Sequence, residues 1–296
     1  MHPRLEKLSL VFCLAFCLGL TSSAWSDKRI PQYLELTSTY ADGPLYLHAN
    51  IDGNHAEGVV YAKLNVRYKQ LVSILNSTQN WCEILILHIN IKSCLNHAND
   101  NGVIEVFVGG KHYQPPEQAH RVAYRFSIQH LQEKYTQINL VAEEAPMGMD
   151  DGIFTVTLWQ LEQHETLVKF SYSYNLNFIS RLTLSAYLHT LGRNKIGFSR
   201  QPHQSDNQPV YVGGVQGLLE RNIMRYFFAL ETYLSFPEDT ANFNQRFNHW
   251  YARTMEYKDQ LYDVEKAVYL SSKRQEWQNQ TQLQAALDRN HLSQPH

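Results

Sequence analysis

The stretch Tyr211 to Leu234 reads YVGGVQGLLERNIMRYFFALETYL. Two glycines open it and no proline interrupts it. Placed on a helix, Val215, Leu219, Ile223, Tyr226, Leu230 and Tyr233 share one broad face with Leu218, Ala229 and Leu234. Glu220, Met224 and Glu231 lie opposite. A face so wide must be covered, and this demand constrains the chain more than any other feature. Asn222 falls inside it. An amide buried there needs hydrogen-bond partners, either from a neighbouring sheet or from a molecule held between helix and sheet. Arg221 and Arg225 sit one turn apart on one flank, where they repel each other mildly. Either water bathes that flank, or an off-helix carboxylate or a ligand anion sits near it.

The upstream sequence supplies the cover. LYLHANID (45–52), a Gly/Asn turn and GVVYAKLNV (58–66) read as a β-hairpin. YKQLVSILNSTQNWCEILILH follows with two helical stripes, Leu71-Ile74-Leu75 and Trp81-Ile84-Leu85-His88. Between them, Asn76-Ser77-Thr78 can end one helix and cap the next. Strands then come in series at 89–95, 103–110, 122–131, 136–144, 153–162 and 167–175, separated by Gly, Pro, Asn and Asp turns. Connections this short imply an antiparallel meander. Residues 177–191 read as a helix and 192–212 as a polar loop.

After Pro237, the residues Phe243, Phe247, Trp250, Thr254, Tyr257, Leu261, Val264 and Val268 alternate steps of four and three. The spacing predicts one long helix with an apolar seam. Folding back on the preceding domain, as a monomer, is preferred to a coiled-coil dimer, because Thr254 interrupts the stripe. The tail beyond it is polar and reads as frayed.

The N-terminus sets the compartment. Arg4 and Lys7 precede an apolar run, Leu8 to Leu20, that is too short to span a bilayer comfortably. Small residues around Ala24 follow, so residues 1–26 read as a secretory signal peptide. The rest holds no second long apolar run, so no stable membrane span is expected after cleavage. The protein is expected in the periplasm or outside the cell. Only Cys82 and Cys94 remain in the mature chain. On one continuous strand they would lie roughly 40 Å apart; a helix-to-strand turn between them would permit a bridge. Export and the pair of cysteines favour the disulfide. Asn76-Ser77-Thr78 and Asn279-Gln280-Thr281 fit the glycosylation acceptor pattern. Charge is nearly balanced, 26 basic against 28 acidic residues, and no basic stripe appears. Nucleic acid is therefore not an expected partner.

A strand pair, two short helices, a run of antiparallel strands and one long helix occur in that order over roughly 45–236. The pieces that match best are NWCEILILHINIKSC, IEVFVGGKHYQ and GGVQGLLERNIMRYFFALETYL. This order resembles the START-like, or SRPBCC, superfamily. The resemblance implies an α+β helix-grip fold, a curved antiparallel sheet with a long helix laid across it and a ligand cavity between. The chain departs from the simple pattern by an insertion at 176–212 and a helical extension. The domains expected are a START-like unit at 27–236 and the extension at 237–296.

The function this implies is exported binding of a hydrophobic, lipid-like small molecule. Its rivals are a cyclase or dehydratase on the same fold and a structural partner with no ligand. Two or more convergent titratable groups in the pocket would favour the enzyme, and an apolar pocket with one or two polar anchors the carrier. Candidate lining residues are Trp81, Phe126, Trp159, Tyr172, Tyr174, Asn222, Arg225 and Tyr226. No GxSxG elbow, HExxH helix, CxxC pair or phosphate-binding glycine loop is present. No catalytic residue, metal ligand or cofactor is assigned. His88 and His130 read as structural groups, and the acids Glu143, Glu144, Asp150 and Asp151 as a solvated turn.

Overall fold

The computed structural model describes residues 45–97, 102–145, 148–190, 192–201, 210–241 and 243–292. The expected signal peptide lies outside them. Eight strands form one curved antiparallel sheet: β1 (Leu45–Asp52), β2 (His55–Leu64), β3 (Ile91–His97), β4 (Val103–Val108), β5 (His120–Leu131), β6 (Tyr135–Ala145), β7 (Met149–Gln160) and β8 (Thr166–Asn175). Their order across the sheet is β1-β2-β8-β7-β6-β5-β4-β3. The meander from β3 to β8 thus runs back to meet β2. The opening hairpin turns at Gly53, whose φ of 59° suits the glycine-led turns that join twisted strands.

Alternation decides which side of the sheet is the core. Registers Val60↔Phe170, Phe170↔Val156 and Val156↔Ile138 set four buried side chains in one row. The adjacent row holds Gly58, Tyr172, Phe154 and Leu140. Two short helices, α1 (Tyr68–Leu75) and α2 (Thr78–Leu85), link β2 to β3. Ser77 caps α2 by accepting the Asn80 N–H at 3.3 Å. The chain turns after α2, so Cys82 and Cys94 face each other and form a disulfide, Cα–Cα 5.0 Å. His88 lies in that turn rather than on a helix.

Helix α3 (Phe178–His189) follows β8, and α4 (Gly214–Ser235) crosses the sheet. The crossing is close at β2. A Cβ on Gly58 would stand 3.3 Å from the Leu219 carbonyl oxygen, so glycine keeps helix and strand in contact. The far side of α4 is covered too, which alters two expectations. Met224 is buried, and Glu220 is buried with Oε2 accepting the N–H groups of Phe198 and Ser199 at 2.7 and 2.9 Å.

The extension is not one long helix. It breaks into α5 (Asn244–Met255), α6 (Lys258–Leu261) and α7 (Lys266–Leu292). Phe243, Phe247, Trp250, Leu261 and Val264 are buried in the same core cluster as α4 and the sheet. Val268 is exposed. Arg246 locks the junction: its guanidinium donates to Glu83 and to the carbonyls of Phe236 and Pro237, each at 2.8 Å. The polar tail, expected to fray, is a 27-residue helix laid along the edge strand β3. Lys273 donates to the Ile91 carbonyl at 2.6 Å. Gln280 accepts the Cys94 N–H at 2.7 Å. Gln284 accepts from the Asn96 N–H at 2.8 Å and donates to its carbonyl at 2.9 Å. Four helical residues rise about 6 Å, close to about 6.6 Å for two strand residues. Side chains one helical turn apart can therefore serve alternate residues of the edge.

Candidate functional site

A cavity of about 360 Å³ lies between the sheet and the N-terminal half of α4. Leu218, Arg221, Asn222, Arg225 and Tyr226 of α4 form one wall, and Tyr172 and Tyr174 of β8 the other. The turn after α2 brings His88 and Asn90, the segment after β4 brings Gly109 and Lys111, α3 brings Tyr187 and the extension brings Asp263. Of the residues chosen from sequence, Tyr172, Tyr174, Asn222, Arg225 and Tyr226 meet here.

Three do not line the cavity, each for a local reason. Trp81 is a buried strut: its indole N–H donates to the Leu75 carbonyl at 2.9 Å and its ring lies 6.4 Å from Phe170. Phe126 lies on β5, in register with Leu140 of β6 and three strands from β8. Trp159 is on the opposite face of the sheet, clustered with Val59, Tyr61, Leu167 and Tyr135. Strand alternation already carried that information, because Trp159 follows Leu158 and must point away from it.

The aromatic wall is built by stacking. Tyr226 lies 4.2 Å from His88, nearly parallel at 16°, and meets Phe154 edge-on at 4.8 Å. Phe154 in turn stacks on Tyr172 at 4.3 Å. Burial pushes the phenols of Tyr172, Tyr174 and Tyr226 well up, so all three stay protonated at neutral pH. Burial, then the Arg225 charge, push His88 well below its usual value and keep its ring neutral. His88 Nδ1 accepts the Asn90 N–H at 3.2 Å, which leaves the proton on Nε2. Nε2 is buried and has no partner.

The other end is ionic. Asp263 Oδ2 accepts from Arg225 at 2.5 Å. Its Oδ1 meets Lys111 and, at 3.4 Å, Lys195. Burial alone would raise the Asp263 carboxyl, but Arg225, Lys111 and Lys195 outweigh it and hold it well below the carboxylate range. The off-helix carboxylate that two neighbouring arginines called for is therefore Asp263, and the flank is buried rather than solvated. Arg221 and Arg225 are only 2% and 4% exposed. Arg221 donates to the Ile196 carbonyl at 3.2 Å. Burial, then Arg225, push its guanidinium down to about 10, still charged at neutral pH. Sequence reasoning missed Lys111, which follows β4, Tyr187, which lies on α3, and Asp263, which falls between the seam residues Leu261 and Val264. It set His88 aside because a lone histidine beside apolar residues is ordinarily structural.

Among the described residues, no group of three His, Cys, Asp or Glu side chains could hold a metal ion. No described helix is long and apolar enough to cross a membrane.

No protein-family model matches the chain, and no curated protein does. Among solved structures, it is similar to a conserved protein of unknown function from Enterococcus faecalis, with TM-score 0.34, 11% identity, and coverage of 77% of this chain and 96% of that one. It is similar to a major latex-like protein from Panax ginseng, with TM-score 0.30, 12% identity, and coverage of 46% and 94%. It is also similar to norcoclaurine synthase from Thalictrum flavum, with TM-score 0.32, 9% identity, and coverage of 48% and 84%. The α+β helix-grip assignment rests on this chain's own strand order and on the helix laid across its sheet.

Proposed function

We propose that this chain is an exported START-like binding protein that holds a small, largely hydrophobic molecule between the sheet and α4. The observation that carries this reading is the state of the cavity's titratable groups. A general acid or base works best with a pKa near the operating pH. Here the tyrosines are pushed up, His88 down, and Asp263 is held ionised by three cations. These groups are fixed donors and fixed charges, suited to orienting a bound molecule. A cavity of about 360 Å³ is at the low end for small-molecule sites, about 300–1,000 Å³. That favours a compact or single-chain ligand over a diacyl lipid. Export is supported by the basic start and short apolar run, and by a disulfide, which suits an oxidising compartment.

The test is native mass spectrometry of protein recovered from the exported fraction of its own host. One small molecule held in near-stoichiometric amount supports the reading, and the intact mass also reads cleavage near Ala24–Ser26. Protein that leaves the host empty and takes up no added apolar fluorophore would refute it. A second reading has its own support: several titratable groups do converge, as in a cyclase or dehydratase. Conversion of the retained molecule on prolonged incubation, seen as a change of its mass, would select that reading.

A further inference from the structure

We propose that the cavity selects a small organic monoanion, a carboxylate carried on an apolar or aromatic body, with Arg221 and Arg225 meeting its charge. The proposal rests on the binding reading above and names the ligand class.

The first argument is charge. Lys111, Arg221 and Arg225 line the cavity against a single carboxylate, Asp263. Lys195 adds a fourth cation on the same Asp263. Lys111 and Lys195 keep 32% and 25% of their side-chain surface in solvent, so water compensates them in part. The two arginines are buried, and Asp263 is the one carboxylate among the lining residues; the buried Glu220 turns its Oε2 away to the N–H groups of Phe198 and Ser199. A buried unpaired charge is strongly destabilising. One further negative charge removes that cost, and a doubly charged group overshoots it.

The second argument is hydrogen bonding, and the other buried cations supply the contrast. Lys92 donates to the carbonyls of Ile89 and His112 and to Glu276, the full complement of an ammonium. Arg246 uses Nε, Nη1 and Nη2 on Phe236, Glu83 and Pro237. Neither of these residues lines the cavity. Arg225 does, and its Nε is buried without an acceptor. Arg221 has five N–H groups; it hydrogen-bonds the Tyr187 hydroxyl and donates to the Ile196 carbonyl. His88, also in the wall, carries the unpartnered Nε2–H. Two donors of the wall, Arg225 Nε and His88 Nε2, thus lack acceptors, and a carboxylate brings acceptors with its charge.

The third argument is the body of the ligand. Beyond the arginines the wall turns apolar and aromatic, through Leu218, Val108, Met149 and the rings of Tyr172, Tyr174 and Tyr226. An anion with no apolar part would leave that surface wet. A neutral apolar molecule would leave the arginines unmatched.

The test compares two probes of one shape, 2-naphthoate and 2-naphthamide, by calorimetry on the full exported protein. Charge-assisted hydrogen bonds are worth about 1.5–3 kcal/mol, so the carboxylate should bind about 10- to 100-fold more tightly. Arg221→Gln should bring the ratio within about threefold. Equal binding of the two probes by the unaltered protein overturns the monoanion proposal and leaves the cavity reading standing. Binding of neither probe overturns both. The unaltered protein's ratio decides even where the variant folds poorly.

Discussion

Replacing Asp263 by Asn keeps the shape of the side chain and removes the charge that ties the extension to the cavity. In the native protein Oδ2 accepts from Arg225 at 2.5 Å, with side chains 4% and 5% exposed. Breaking so buried a pair by deleting one partner costs about 3–5 kcal/mol, because the remaining charge stays buried. Lys111 and Lys195 add little, about 0–1 kcal/mol each, since both reach solvent. Set against a typical stability of about 5–15 kcal/mol, the loss is large enough to read by urea unfolding followed by tryptophan fluorescence, with the disulfide intact. The pH dependence gives a second signature. The folded-state pKa of Asp263 is depressed, so its contribution is fully present above the unfolded value of about 3.9. It is lost as pH falls below that value, through the folded one. The stability gap between the native protein and Asp263→Asn should stay level from about pH 7 to about pH 5 and narrow below about pH 4. A gap under about 1 kcal/mol at pH 7, or one that widens in acid, would refute the argument that Asp263 is a buried counter-ion.

Two further outcomes follow from other parts of the molecule. Asn222→Leu should weaken retention of the bound molecule and leave the thermal midpoint nearly unchanged; a midpoint drop equivalent to about 1–3 kcal/mol with retention intact would instead mark the amide as a structural bond. Gln280→Leu should cost about 1–3 kcal/mol in urea, because the Cys94 N–H is stranded in a buried place. Light scattering should then show the variant self-associating through its uncovered β3 edge while the native chain runs as a monomer; an unaltered stability and size would mean that the glutamine contributes nothing to the edge.

Where the sequence was legible, a period carried the message. Strands 103–175 were readable because a sheet with one face on the core alternates, and the cap at Ser77 because a hydroxyl there satisfies a helix N-terminus. Five of the eight candidates chosen from sequence line the cavity because they lie on α4 or β8, elements whose periodicity reveals a facing side. The seam at 243–268 misled because four-three spacing marks which residues go inward, not whether one helix carries them. Backbone breaks at Tyr257 and Tyr262 keep Phe247, Trp250, Leu261 and Val264 inward without one continuous helix, and Val268 is exposed. The tail misled for an opposite reason. An amphipathic reading assumes that the buried face is apolar. Lys273, Glu276 and Gln280 are buried and polar because the surface they cover is a strand edge, whose open N–H and C=O groups ask for polar partners.

The charged end of the cavity resists local reading for a further reason. Arg221 and Arg225 are on the long helix that the fold resemblance already contains, but their surroundings are not. Tyr187 and Lys195 come from the insertion at 176–212, and Asp263 from the extension. Those two segments are where the chain departs from the simple helix-grip order. The resemblance alone therefore implies an apolar cavity, and the departures turn one end of it ionic. Without the extension the same two arginines would lose Asp263, the carboxylate that Arg225 pairs with. The extension holds Asp263 in place through burial of Leu261 and Val264 on either side of it. Its packing against α4 thus does two things at once: it shields the outer face of the helix, and it sets Asp263 against Arg225 at the charged end of the cavity.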